Sequence, residues 1–252
     1  MKGRNFWTGF LIAAILGFQL GIGDEGVEKK GIVTYADGQV RRMPEERQEW
    51  ERAPVNTDIL SGDKVRTYQK SRAELNLAEL DIIRLAPRTI IDIVKLYEET
   101  KEQKARTQIN LEEGEIWATV HKVEAKTEFD ISAPIAAAAI TGTVLRLNVA
   151  QDSTTQLKVY RGEVHITNAP ERKDLKPKSL IPREVPGPYE IPGPREVTLE
   201  EWIYIVKSME QVTIDNRGQL ISKGKFSEKD EDEKSDWVLW NQQRDRVQNR
   251  EH

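Results

Sequence analysis

The 252-residue chain is predicted to be mainly β: a short solenoid- or sandwich-like body followed by a C-terminal helix and hairpin appendage. Two observations carry this reading. Between Gly62 and Thr167 short runs place apolar side chains at every second position, as in Ser71-Arg-Ala-Glu-Leu-Asn-Leu, Thr141-Gly-Thr-Val-Leu-Arg-Leu-Asn-Val and Leu157-Lys-Val-Tyr-Arg-Gly-Glu-Val. Glycine or proline turns punctuate these runs, and period two with frequent punctuation describes half-buried strands stacked into a β body.

Taken in order, the chain opens on Met1-Lys2-Gly3-Arg4, two positive charges ahead of an apolar run from Phe6 to Ile22. Gly21-Ile22-Gly23 then offers small residues before Asp24, so residues 1–23 are expected to be a secretory signal peptide. An uncleaved membrane anchor and a buried core helix are the competing readings, because ~17 residues is the lower limit for spanning hydrocarbon. The body is expected over residues 30–168. It begins with Gly31-Ile-Val-Thr-Tyr, a tight turn at Asp37-Gly38, and Gln39-Val-Arg. Pro44 to Arg52 reads as a loop or short helix, and Asn56 to Ile93 as three or four strands. Lys95 to Gln108, dense in Glu and Lys, fits either a hairpin tip or an exposed helix. Ile109-Asn-Leu and Glu115-Ile-Trp-Ala-Thr-Val-His are the next strands. The run Ile135-Ala-Ala-Ala-Ala-Ile has helix-forming alanines, yet Pro134 before it and Gly142 after it favour a strand.

After Asn168 the composition changes. Residues 169–197 are rich in proline and carry a near-duplicate, Glu184-Val-Pro-Gly-Pro-Tyr-Glu and Glu190-Ile-Pro-Gly-Pro-Arg-Glu, expected to form an extended, semi-stiff linker. Residues 198–252 are the appendage. Thr198-Leu-Glu-Glu is a capping box, and Leu199, Trp202, Ile203, Val206 and Met209 follow at helical spacing, predicting a helix to about Gln211. Val212 to Ile221 reads as a hairpin turning near Asn216 to Gly218. Ser227 to Asp236 is a charge run, expected to be solvated, and Trp237 and Trp240 are expected to anchor the tail on the body.

Composition narrows the function classes. The 38 basic and 42 acidic residues leave a formal charge of −4, a field that does not draw nucleic acid. There is no cysteine, so disulfides, thiolate chemistry and cysteine zinc sites are excluded.

The order of the strands and turns resembles a FecR domain. The matching pieces are Leu60-Ser-Gly-Asp-Lys-Val-Arg-Thr, Ser71 to Leu77, Ile83-Arg-Leu-Ala-Pro-Arg-Thr-Ile, Leu111-Glu-Glu-Gly-Glu-Ile-Trp, Phe129-Asp-Ile-Ser-Ala-Pro, Ile140-Thr-Gly-Thr-Val-Leu-Arg-Leu and Val159-Tyr-Arg-Gly-Glu-Val. Together they cover about Gly31 to Thr167. The chain departs from the family pattern at Ala78-Glu79-Leu80-Asp81, where an Asp-Gly-Ser turn is usual, and at Ala133-Pro134, where Thr-Pro is usual. The resemblance implies an extracytoplasmic β domain. In the founding members that domain follows a membrane span and a cytoplasmic segment that holds a sigma factor, coupling iron-siderophore uptake to transcription. Only five residues precede the apolar stretch here, so the outside half of that circuit is what is expected to carry over.

No catalytic, cofactor-binding or metal residue is assigned from the sequence. His121 and His165 lie on separate strands and His252 is terminal, so they are expected to be structural or surface residues rather than ligands. Ser132, His165 and Asp130 lack the nucleophile elbow and glycine cluster of a triad. Glu112-Glu113 and Asp230-Glu231-Asp232 fall in turns and charge runs, and no phosphate-cradling glycine loop occurs. Asp63, Asp81 and Asp92 at turns lack the twelve-residue calcium pattern. Trp117 is expected to be a core ring. Trp202, Trp237 and Trp240 fit a cluster under the tail or an exposed docking patch. The expected function is a non-enzymatic periplasmic or secreted interaction or sensing module without cofactor, its partner another envelope protein or an envelope polymer. Contact with the membrane is expected only through residues 6–22, if uncleaved. A polysaccharide- or peptidoglycan-binding protein and a membrane-anchored signalling relay are the alternatives.

Overall fold

The structure, a computed structural model, describes residues 30–77, 81–99, 105–121, 127–168 and 203–251. The expected leader, the proline-rich linker, the capping box, Trp202 and His252 lie outside the described residues.

Alternation becomes strand almost throughout. The order is β1 (Gly31–Asp37), β2 (Val40–Met43), β3 (Glu51–Arg52), β4 (Asp58–Ile59), β5 (Lys64–Thr67), β6 (Arg72–Leu77), β7 (Asp81–Leu85) and β8 (Ile90–Glu99). There follow β9 (Ala105–Thr119), β10 (Thr127–Ser132), β11 (Ala136–Val149), β12 (Thr155–Asn168), β13 (Ile203–Lys207), β14 (Glu210–Ile214) and β15 (Leu220–Lys225). A 3-10 turn, Asp232–Lys234, leads into the single described helix, α1 (Asp236–Glu251).

All fifteen strands belong to one open sheet, with a main path β15-β14-β12-β11-β10-β9-β7-β6-β1-β4. The junction is β9. Its first half pairs with β8 and, in parallel, with β10; its second half pairs with β7 and β11. Through β8 and β5 the path continues to β2 and β3. One apolar core, drawing on every strand from β1 to β14 except β3, fills the inside, with Leu75, Ile83, Ile116, Leu145 and Val159 all inaccessible to solvent. The alanine run is strand, as expected, because Ala136 and Ala138 must pack closely inside while Ala137 and Ala139 face outward.

Two readings of the appendage are corrected. Residues 203–207 are strand rather than helix: β13 lies antiparallel along the outer side of β12, Ile205 opposite His165, where a ladder was open for pairing. The β-branched run Ile203, Ile205, Val206 suits that role, and Val206 is buried in the main core. The helix of the appendage lies later, at Asp236–Glu251, and the charge run before it is not simply solvated, for Glu233 is 2% exposed. The hairpin stands: β14 pairs with β15 and Asp215–Gly218 forms its turn. Because β13 and β14 both pair with β12, the C-terminal segment extends the body's own sheet.

Candidate functional site

Strand register places five long polar or aromatic side chains in one line across the sheet. Glu74 on β6 stands opposite Arg84 on β7, Arg84 opposite Trp117 on β9, Trp117 opposite Arg146 on β11, and Arg146 opposite Lys158 on β12. Tyr35 on β1 extends the line at one end and Gln211 on β14 at the other. Directly opposed residues share a face, and their chain neighbours, such as Ile83 and Leu85 or Leu145 and Leu147, point into the core behind. Four of the five are ionisable and none is freely solvated: Glu74, Arg84, Arg146 and Lys158 are all buried.

They are covered by side chains from Asp232 to Gln248. On α1, Trp237, Val238, Asn241, Arg244, Asp245 and Gln248 recur at intervals of three and four, so one helical face turns to the sheet. Arg244 donates to Glu74 at 2.7 and 2.8 Å, and Thr34 Oγ1 adds a bond to the same carboxylate at 2.8 Å. Arg84 donates from Nε to Glu74 at 2.6 Å, from Nη1 to Asp245 at 2.6 Å, and from Nη2 to Gln248 at 2.8 Å. Asp245 also accepts from Trp117 Nε1 at 3.0 Å. At the other end, Lys158 donates to Asp232 at 2.7 Å and to Glu233 at 2.8 Å, and Arg146 donates to Asp232 at 2.8 Å. Tyr160 donates to Glu233 at 2.8 Å. Arg72 pairs with Asp236 near the start of the helix.

Aromatic rings pack against both ionic groups. Trp117 and Tyr160 lie 4.4 Å apart by centroid, Tyr160 meets Phe226 edge-on at 5.2 Å, and Trp237 stacks on Trp240 at 5.5 Å. Arg244 sits 4.9 Å from the Tyr35 ring centre and 5.2 Å from that of Trp240, within cation–π range.

The charges hold one another in their ionised forms. Burial works against ionisation of Glu74, yet the hydrogen bonds from Arg244 and Arg84 prevail and bring its pKa down to about 2. Asp232 likewise loses hydration, but Lys158 and Arg146 lower its pKa. Burial foremost, and then the Glu233 carboxylate, push the Tyr160 phenol up, so it remains a donor. Chemically the arrangement pairs carboxylates with cations and packs aromatic rings, all within the chain itself. Beside it opens a cavity of about 550 Å³, lined by Arg88, Glu113, Glu115, Asn148 and Trp237 among others.

The residues weighed from the sequence are dispersed. Asp130 and His165 lie in one row with Ala139 between them, two strand spacings or about 10 Å apart, and each has its own partner, Arg106 and Glu163 respectively. Ser132 bonds to β9. The His121 amide donates to Asp81, whose carboxylate also accepts from Tyr97. Asp63 accepts from the Leu60 amide at 2.8 Å and holds a turn; burial raises its pKa. Glu112 pairs with Lys64, and Asp92 lies opposite Lys64 on β8. Among the described residues no three His, Asp or Glu side chains gather to hold a metal. Trp117 is buried, but under the C-terminal cover rather than in the main core. Glu74, Arg84, Arg146 and Lys158 were not singled out from the sequence. Their signal was a lone charge between apolar neighbours in a strand.

The family described as "FecR protein" matches residues 63–165, which include β6, β7, β9, β11 and the part of β12 that carries Lys158. Residues 63–165 are a FecR domain. The charged row lies wholly within this FecR domain, while the cover comes from beyond it. The fold is similar to two crystal structures of a "putative anti-sigma factor" from Parabacteroides distasonis, at 14% identity, with TM-scores of 0.45 and 0.44. Each match covers 64% of this chain and 59% of that one, so less than two thirds of the relative is spanned. No curated protein matches the sequence.

Proposed function

We propose that this chain is a non-enzymatic FecR-domain protein of the periplasm or exterior that acts as a protein-interaction or signal-sensing module. The observation that carries the reading is the FecR domain itself. The positive, apolar and small-residue order of residues 1–23 supports export. In the sheet face described above, each buried ion is matched by an opposite charge, which suits recognition and leaves no poised acid, base or nucleophile. The test is cellular. An epitope-tagged full chain should be digested by protease added to cells with permeabilised outer membranes, and cross-linking should trap an envelope protein. Protection until the cytoplasm is opened would refute the placement. An envelope polymer is the second reading, favoured by the Trp237-lined cavity, and retention on insoluble wall material is its measurement.

A further inference from the structure

The cover over the charged row has an unusual kind of attachment. Beyond the Phe226 amide, which bonds to Met209, the described backbone–backbone hydrogen bonds of residues 227–251 are all local to that segment. It therefore contributes nothing to the sheet ladder and can leave without breaking one. Its contact face is mixed: Trp237 and Val238 pack on Trp117 and Val144, and further along Asn241, Arg244, Asp245 and Gln248 meet the sheet through polar bonds. Buried ion pairs add little net stability compared with well-packed apolar side chains, whereas they discriminate sharply between partners. Charge complementarity is plain. The sheet presents Arg72, Arg84, Arg146 and Lys158 with Glu74 and Glu115, and the cover answers with Asp232, Glu233, Asp236, Asp245 and a single cation, Arg244.

We propose that the row Glu74–Arg84–Trp117–Arg146–Lys158 is a docking surface for an acidic, tryptophan-bearing helix of a partner protein, and that residues 227–251 are its resident competitor. The proposal rests on the interaction reading above and names the surface and the chemistry of its partner. An incoming helix with an acidic segment ahead of it, placing carboxylates at the positions of Asp232, Glu233 and Asp245, would take over the bonds to Arg146, Lys158 and Arg84. Displacing the resident helix would then expose Trp237 and Trp240 and convert binding into a change at the C-terminus.

The experiment uses the full chain and a labelled peptide of residues 227–252 as the probe. Asp245→Asn weakens the resident cover and leaves Arg84 paired with Glu74, so this variant should bind the peptide about tenfold more tightly than the unaltered chain does. A peptide with Asp232, Glu233 and Asp245 changed to lysine should not bind, and Arg146→Glu in the body should abolish capture. Hydrogen exchange of the unaltered chain, which needs no variant, should show α1 exchanging faster than β9 and β11. If α1 is as protected as those strands and neither chain takes up the peptide, the cover is a permanent part of the fold and the proposal fails. Dimers with exchanged covers would overturn it too, by making a second copy the occupant. An envelope partner trapped in cells despite either result would leave the broader function intact, and loss of that partner alone would not disturb the peptide measurement.

Discussion

Glu74 is the residue on which two buried or half-buried guanidinium groups converge, and its behaviour in acid follows from that. Its pKa falls from 4.5 to about 2 on folding, so the stabilisation is complete above about pH 4.5 and disappears as pH drops towards 2. At 1.36 kcal/mol per pH unit the contribution is about 3 kcal/mol. Acid titration followed by tryptophan fluorescence should show this loss, and Glu74→Gln should flatten the curve between pH 4.5 and 2 while lowering stability at neutral pH. Arg84 offers the complementary measurement. Arg84→Met leaves Glu74 short of one buried partner and Asp245 short of another, which costs roughly 3–5 kcal/mol in denaturant unfolding. Arg47→Ala, which removes only the exposed pair with Glu51, should change stability by less than about 0.5 kcal/mol. In the sequence both arginines are simply charged residues. What separates them is register, because only alignment of β6, β7, β9, β11 and β12 turns five separate side chains into a line.

Elements are legible in the sequence where burial is apolar and illegible where it is polar. The strands of the FecR domain carry period two plainly, and their order can be read from the residues alone. The C-terminal helix escapes such a reading because only its first turn, Trp237 and Val238, is apolar on the sheet-facing side, and Asn241, Arg244, Asp245 and Gln248 continue that side, so apolar periodicity stops there. Residues 199–209 mislead in the opposite direction. Their apolar spacing fits a helix, but β12 had an outer edge to fill, and over residues 203–207 tertiary pairing overrode the local pattern. The register shift in the β11–β12 ladder has an identifiable cause. Gly162 sits at φ +90°, opposite the register shift of β11, and a Cβ there would lie 2.7 Å from the Gly142 carbonyl oxygen. Gly162→Ala therefore meets both a left-handed backbone and a main-chain atom, and should cost about 1–3 kcal/mol in thermal or chemical unfolding. The loss should be accompanied by faster hydrogen exchange in residues 136–141 and 203–207, the strand halves beyond the shift.

At the scale of the molecule, the sheet is open, and an open sheet has edges to manage. One end of the main path is β15, paired among the described residues only with β14. It carries Ile221, 61% exposed, on a six-residue strand that also holds Lys223 and Lys225. An apolar side chain on a free edge invites edge-to-edge pairing with another copy, and lysines on the same strand oppose it by repulsion and by the cost of stripping their hydration. The design is therefore conditional: apolar enough to pair with β14, charged enough to stop there. Lys223→Thr combined with Lys225→Thr keeps strand propensity and removes that repulsion. Sedimentation velocity should then show concentration-dependent self-association absent from the unaltered chain, with unfolding free energy changed by less than about 1 kcal/mol, because both side chains are exposed and only the cation–π contact of Lys223 with Tyr204 is lost. Adding Ile221→Lys to the pair should restore the monomer, since the exposed apolar group is what the new contact would bury. Association that persists in the triple variant would place the attraction elsewhere and remove β15 as the edge the lysines guard.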